Sequence, residues 1–138
     1  MNKRQGNENP PGGPIIRVLI AEDSPSIRDG LAGILNQTSG FRVVGLAGDG
    51  LEAVAKAAEL LPDVVIMDAQ MPRLDGVEAT RRIKRDLPGV GVLFFSVFAD
   101  YLEDSVAAGS DGYLNKDCSP SELFNELRRI ALGPQADS

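Results

Sequence analysis

A chain of 138 residues with 43% apolar and 25% charged side chains has the size of one domain and the composition of an ordinary globule. A formal charge of −6 and a pI near 4.6 exclude a chain that grips nucleic acid itself, because phosphate binding needs a basic face. Histidine is absent and Cys118 is the only cysteine, which excludes Ser-His and Cys-His catalysis, His-ligated metals and an internal disulfide.

Residues 1–14, rich in Pro, Gly and Asn, read as a disordered leader with no apolar stretch of the kind a secretory signal needs. "IRVLIA" (16–21) is a short β-branched apolar run, hence a buried strand. Ser24-Pro25 opens a helix as N-cap and first-turn proline, with Ile27, Leu31, Ile34 and Leu35 expected on its inner face. "FRVVGLA" (41–47) is a second strand. Residues 50–61 return to helical spacing through Leu51, Val54, Ala55, Ala58 and Leu61.

"DVVIMD" (63–68) is the third strand, and Asp75 with Glu78 three places on starts the third helix in the manner of a capping box. The "RRIKR" run at 81–85 reads as that helix's solvated side. "VGVLFFS" (90–96) is the fourth strand, a short helix is expected over Asp100–Ala108, and "DGYLNK" (111–116) is the fifth strand. Ser119-Pro120 and Glu122 form a capping box for the last helix, whose Leu123, Phe124, Leu127 and Ile130 share a face. Gly133-Pro134 stops it. Residues 15–133 are therefore the folded domain, and 134–138 a tail or the start of a linker.

Five strand–helix pairs with near-continuous apolar strands imply an α/β domain, a parallel sheet covered by helices on both faces. In such sheets function gathers at the carboxyl ends of the strands. The first strand ends at Glu22-Asp23, the second at Gly48-Asp49-Gly50, the third at Asp68, the fourth at Ser96 and the fifth at Lys116. Crowded acids repel strongly in a partly buried site, and a divalent cation resolves the repulsion. Mg2+ suits this donor set, since it takes carboxylates, waters and phosphate oxygens. Acids, metal, one amine and one hydroxyl are the parts of phosphoryl transfer, with Asp68 as the acceptor nucleophile.

One decoy runs through "GDGLEA" (48–53), a match to G-x-G-x-x-A with Asp68 twenty residues past Gly48 in the place of a ribose-binding acid. A dinucleotide-binding enzyme would leave Glu22, Asp23, Ser96 and Lys116 without work, and the chain is short for it. No P-loop motif is present.

The stretches "VLIAEDSPSIR", "VVIMDAQMPRLDGVEATRRIK", "FFS" and "AGSDGYLNKD" together resemble the receiver domain of bacterial two-component response regulators, over residues 16–132. "GYLNKD" and "SPSELFNELRRIALG" are most similar to the subfamily whose receivers precede a LuxR/NarL-type DNA-binding domain. The resemblance implies a flavodoxin/CheY-like, doubly wound sheet of order 2-1-3-4-5 and a cytoplasmic, phosphorylation-switched signalling module rather than an enzyme. Asp68 would accept a phosphoryl group from a sensor histidine kinase. Asp23, Asp68, the backbone carbonyl of Gln70 and Glu22 (through water) would hold Mg2+. Lys116 and Ser96 would bond the phosphate, and Tyr113 matches the aromatic that moves with Ser96. Control of transcription would run through a DNA-binding domain absent from this chain. Homodimerisation on phosphorylation stays open, and neither direct nucleic-acid binding nor a membrane role is expected.

Two departures stand out. Val97 and Phe98 follow Ser96 where the family has a small residue, which points to restricted access and slow phosphotransfer or dephosphorylation. Asp117 follows Lys116 where many relatives carry a cis proline, so the isomer of that bond is open. The crowded edge also keeps a second reading, a receiver-fold interaction module that works without phosphate.

Overall fold

The computed structural model describes residues 13–97 and 99–133. The expected leader, apart from Gly13 and Pro14, the expected tail, Pro134 and Phe98 lie outside the described residues. Five strands, β1 (Ile16–Ala21), β2 (Phe41–Ala47), β3 (Val64–Asp68), β4 (Gly91–Ser96) and β5 (Gly112–Asn115), alternate with five helices. These are α1 (Pro25–Asn36), α2 (Gly50–Leu60), α3 (Gly76–Asp86), α4 (Leu102–Ala107) and α5 (Pro120–Leu132), with a 3-10 turn at Ala99–Tyr101 leading into α4.

The strands form one parallel sheet in the order β2-β1-β3-β4-β5. Successive strand residues face opposite sides, so each buried strand feeds two cores. Leu19, Val65, Met67, Val92 and Phe94 pack with Ala53, Ala57, Ala79 and Ile83 on the α2–α3 side. Val18, Ile20, Ile66, Leu93 and Phe95 pack with Leu31, Leu35, Leu123 and Leu127 on the α1–α5 side. That double demand is why the strands read as unbroken apolar runs rather than alternating ones.

Two helix faces differ from the expectation. On α1 only Leu31 and Leu35 are buried, while Ile27 and Ile34 are exposed. At ~100° per residue both isoleucines fall to one side of the Leu31–Leu35 stripe, beyond the edge of the sheet contact. On α2 the buried residues are Gly50, Ala53 and Ala57, Leu51 faces solvent, and Leu61 lies past the helix as its exposed left-handed C-cap. This helix sits close because its inner face is small: a Cβ on Gly50 would lie 1.9 Å from the Leu74 carbonyl oxygen.

Caps fix the helix starts. Ser24, Asp49, Asp75 and Ser119 each accept a backbone N–H from three residues on, and only Ser119 with Glu122 completes a capping box. Glu78 instead pairs with Arg81 and Arg82, Lys84 with Asp111, and Arg85 with Asp86. The basic run is thus a balanced helix side. No helix among the described residues is long and apolar enough to cross a membrane.

Gly30 and Gly33 are exposed inside α1, and a Cβ at either would meet nothing within 4 Å. Neither has a positive φ. Gly30→Ala and Gly33→Ala should therefore each stabilise the protein by about 1 kcal/mol, the helix-propensity difference, read as a raised urea midpoint. An unchanged midpoint in both would show that α1 does not form as described.

Candidate functional site

Parallel register brings the strand ends to one rim. Asp68 pairs with Phe95 and Ser96 with Asn115, so the third, fourth and fifth strands finish within a residue of one another. Glu22 lies one residue past β1, where its N–H still bonds the Ala47 carbonyl at 2.9 Å. Lys116 lies one residue past β5, where its N–H bonds the Ser96 carbonyl at 3.0 Å. The Asn115 side chain donates to the Val97 carbonyl at 3.0 Å and accepts from the Asp117 N–H at 2.7 Å, which holds both loops beside Ser96 and Lys116.

The side chains then converge. Lys116 Nζ lies 2.8 Å from Glu22 Oε1 and 3.1 Å from Asp68 Oδ1. Glu22 Oε2 accepts the Ser24 N–H at 3.1 Å, and the Glu22 carbonyl accepts from Arg28 Nη1 at 3.1 Å. Glu22 is only 2% exposed, Asp68 and Ser96 are also buried, and Asp23 is exposed at the mouth. One carboxylate oxygen from each of Glu22, Asp23 and Asp68 lies within 4.8 Å of the others. A cleft of about 260 Å³ joins these acids to Gln70, Ser96, Val97 and Lys116.

Burial, reinforced by the charge of Glu22, raises the Asp68 carboxyl to about 6, although Lys116 pulls the other way. Burial works against the Lys116 ammonium, but its bonds to Glu22 and Asp68 win and lift it above its usual range. Three acids against one amine leave a site short of positive charge. A small divalent cation fits that deficit, and the Glu22, Asp23 and Asp68 carboxylates lie close enough together to surround one.

The structure also places the remaining expected residues. Tyr113 is half-buried and stacks on Phe94, ring centroids 5.8 Å apart. Val97 is 55% exposed on the cleft's rim, and the Lys116–Asp117 peptide is trans. Asp49 stays out of the acid cluster: its carboxylate caps α2 through the Glu52 N–H at 2.8 Å and pairs with Arg73. Glu52 in turn accepts the Gly48 N–H at 2.8 Å. The "GDGLEA" turn thus spends amides on its own acids, where a dinucleotide would need them for phosphate.

Sequence reasoning missed Arg28 and Tyr101. The Tyr101 hydroxyl accepts from Gln70 Nε2 at 2.8 Å, across 31 residues of chain. No spacing rule connects those two positions.

The family model of the response regulator receiver domain matches residues 18–128. An uncharacterized transcriptional regulatory protein of Bacillus subtilis, YxjL, is 39% identical over 120 residues, covering 86% of this chain and 55% of that protein. The response regulator protein VraR of Staphylococcus aureus is also 39% identical over 120 residues, covering 86% of this chain and 57% of VraR. The chain therefore spans little more than half the length of these relatives. The receiver domain of the putative response regulator NarL from Mycobacterium tuberculosis superposes with a TM-score of 0.83 at 28% identity, covering 88% of this chain and 99% of that one. The receiver domain of sensor histidine kinase PA1611 from Pseudomonas aeruginosa, solved with magnesium coordinated in its active site cleft, gives 0.77 at 30% identity, covering 86% and 99%.

Proposed function

This chain belongs to the response regulator receiver domains, and on that premise we propose that it is a phosphorylation-switched module whose acceptor is Asp68. The observation that carries the reading is the shared clamp on Asp68 and Glu22: one Lys116 ammonium serves two buried carboxylates, with the Asp23 carboxylate beside them. A carboxylate whose charge is this poorly compensated is poised to react with an electrophilic phosphorus.

In the transfer, an Asp68 carboxylate oxygen forms the O–P bond as the donor's N–P bond breaks. The leaving imidazole of the partner kinase keeps the electron pair and takes up a proton. Mg2+, when bound, supplies charge neutralisation at the phosphoryl oxygens. Asp23, Asp68 and the Gln70 backbone carbonyl would hold it directly, and Glu22 through water. Lys116 exchanges part of its bond to Asp68 for the incoming phosphoryl oxygens, and the Ser96 hydroxyl donates to them. Those charge-assisted bonds exist only in the phosphorylated state, so they bias whichever packing of Ser96, Tyr113 and α4 best makes them. Val97 at the rim restricts entry and slows turnover. The output is control of transcription by a DNA-binding domain outside this chain, in the cytoplasm, as the likeness to transcriptional regulators suggests.

Incubation with Mg2+ and a small acyl phosphate, followed by intact-mass measurement, tests this. One phosphoryl mass should appear, map to the peptide carrying residues 64–75, and fail to appear with chelator. A chain that gains no mass while staying folded would be a receiver-fold interaction module instead.

A further inference from the structure

We propose that Tyr101 is a positioning residue for the acceptor site: its hydroxyl, acting through the Gln70 side chain, ties the loop after Asp68 to the start of α4. The proposal rests on the acceptor reading of Asp68, although neither tied side chain belongs to the acid cluster.

Gln70 lines the acid cleft on one side. On its other side lies a second cleft of about 270 Å³, between the start of α3 and α4, lined by Asp75, Arg81, Tyr101 and Asp104. The 2.8 Å bond from Gln70 Nε2 to the Tyr101 hydroxyl stands where the two clefts meet. The Tyr101 ring also tilts against the fully buried Phe94, centroids 6.4 Å apart, and Phe94 stacks on Tyr113.

α4 has little else to hold it. Of its six residues only Ser105 is buried, Leu102 and Val106 are 45% and 62% exposed, and its N-cap makes no side-chain cap bond. A segment with so few buried apolar contacts opens locally at small cost. The two attachments of Tyr101 therefore carry a large share of what holds the start of α4. A tie between a site loop and such a helix is reciprocal: ordering either one favours order in the other.

Hydrogen exchange on the full chain, without metal or phosphodonor, tests the tie. Tyr101→Phe keeps the ring on Phe94 and deletes only the hydroxyl. Segments 69–75 and 99–107 should both exchange about fivefold faster, the equilibrium weight of one net hydrogen bond. Gln70→Leu should give the same paired increase, and the double variant no more than either single one. Acceleration confined to residues 99–107, acceleration of neither segment, or simple addition of the two effects would overturn the tie. Mg2+ affinity, read by calorimetry, should fall several-fold in Tyr101→Phe because the untied loop must be ordered on binding; an unchanged affinity overturns the positioning role. A wild-type chain that bound no Mg2+ would sink the reading of the acid site, and the exchange arms would still judge the tie.

Discussion

Asp68→Asn should take up no phosphoryl mass under conditions that fully load the parent, and it should be more stable than the parent at pH 8. The first effect follows from replacing a carboxylate nucleophile with a neutral amide of nearly the same shape. The second follows from the burial of Asp68. Its folded-state value, raised to about 6, exceeds the ordinary 3.8, so folding favours the protonated form. Stability from that protonation is fully present below 3.8 and lost as pH rises through about 6. Above that range the parent bears the whole cost of a poorly solvated charge, and the asparagine variant does not. With a discount for the water-facing mouth of the cleft, the gain is about 1–2 kcal/mol at pH 8 without divalent cations. Urea titrations at pH 4 and pH 8 check it. An equal gain at both pH values would detach the stabilisation from Asp68 ionisation, and normal phosphoryl uptake would remove Asp68 from the acceptor role.

The strands and the rim were legible in the sequence for one physical reason. In a parallel sheet the last residue of each strand and the residue after it are carried to the same edge, so Glu22, Asp68, Ser96 and Lys116 meet without any knowledge of side-chain conformation. Helix faces were less legible. Bulky residues mark a buried stripe only where the helix stands off from its neighbour. α2 presses in on Gly50, Ala53 and Ala57, so Leu51 points away, and Leu61 turns outward because it is the left-handed C-cap past the helix rather than part of its face. The 3-10 turn before α4 and the Gln70–Tyr101 bond left no periodic trace, because both arise where loops meet in space.

The electrostatics of the rim carry the remaining large effect. Lys116→Ala should destabilise the metal-free protein by about 3 kcal/mol at pH 8, the lower end of what removing one partner of a buried ion pair costs, since Asp23 opens the cleft to water. Lys116 Nζ is the shared donor to Glu22 Oε1 and Asp68 Oδ1. Without it Glu22, 2% exposed, keeps the Ser24 N–H on its other oxygen, while Asp68 faces two neighbouring carboxylates. Acidification should shrink the difference as the Asp68 carboxyl, raised to about 6, takes up its proton. Lys116→Met should lose nearly as much, because it restores the apolar stem and not the charge. Millimolar Mg2+ should stabilise both variants more than the parent, since ligand stabilisation of the fold grows with the logarithm of affinity, and the variants offer three acids with no competing ammonium. Urea midpoints with chelator and with Mg2+, at pH 5 and pH 8, decide the matter. A Lys116→Met protein as stable as the parent at pH 8 in chelator would mean that the acids are not held together by this amine. The charge deficit on which the proposed metal and phosphoryl site rests would then have to be compensated elsewhere.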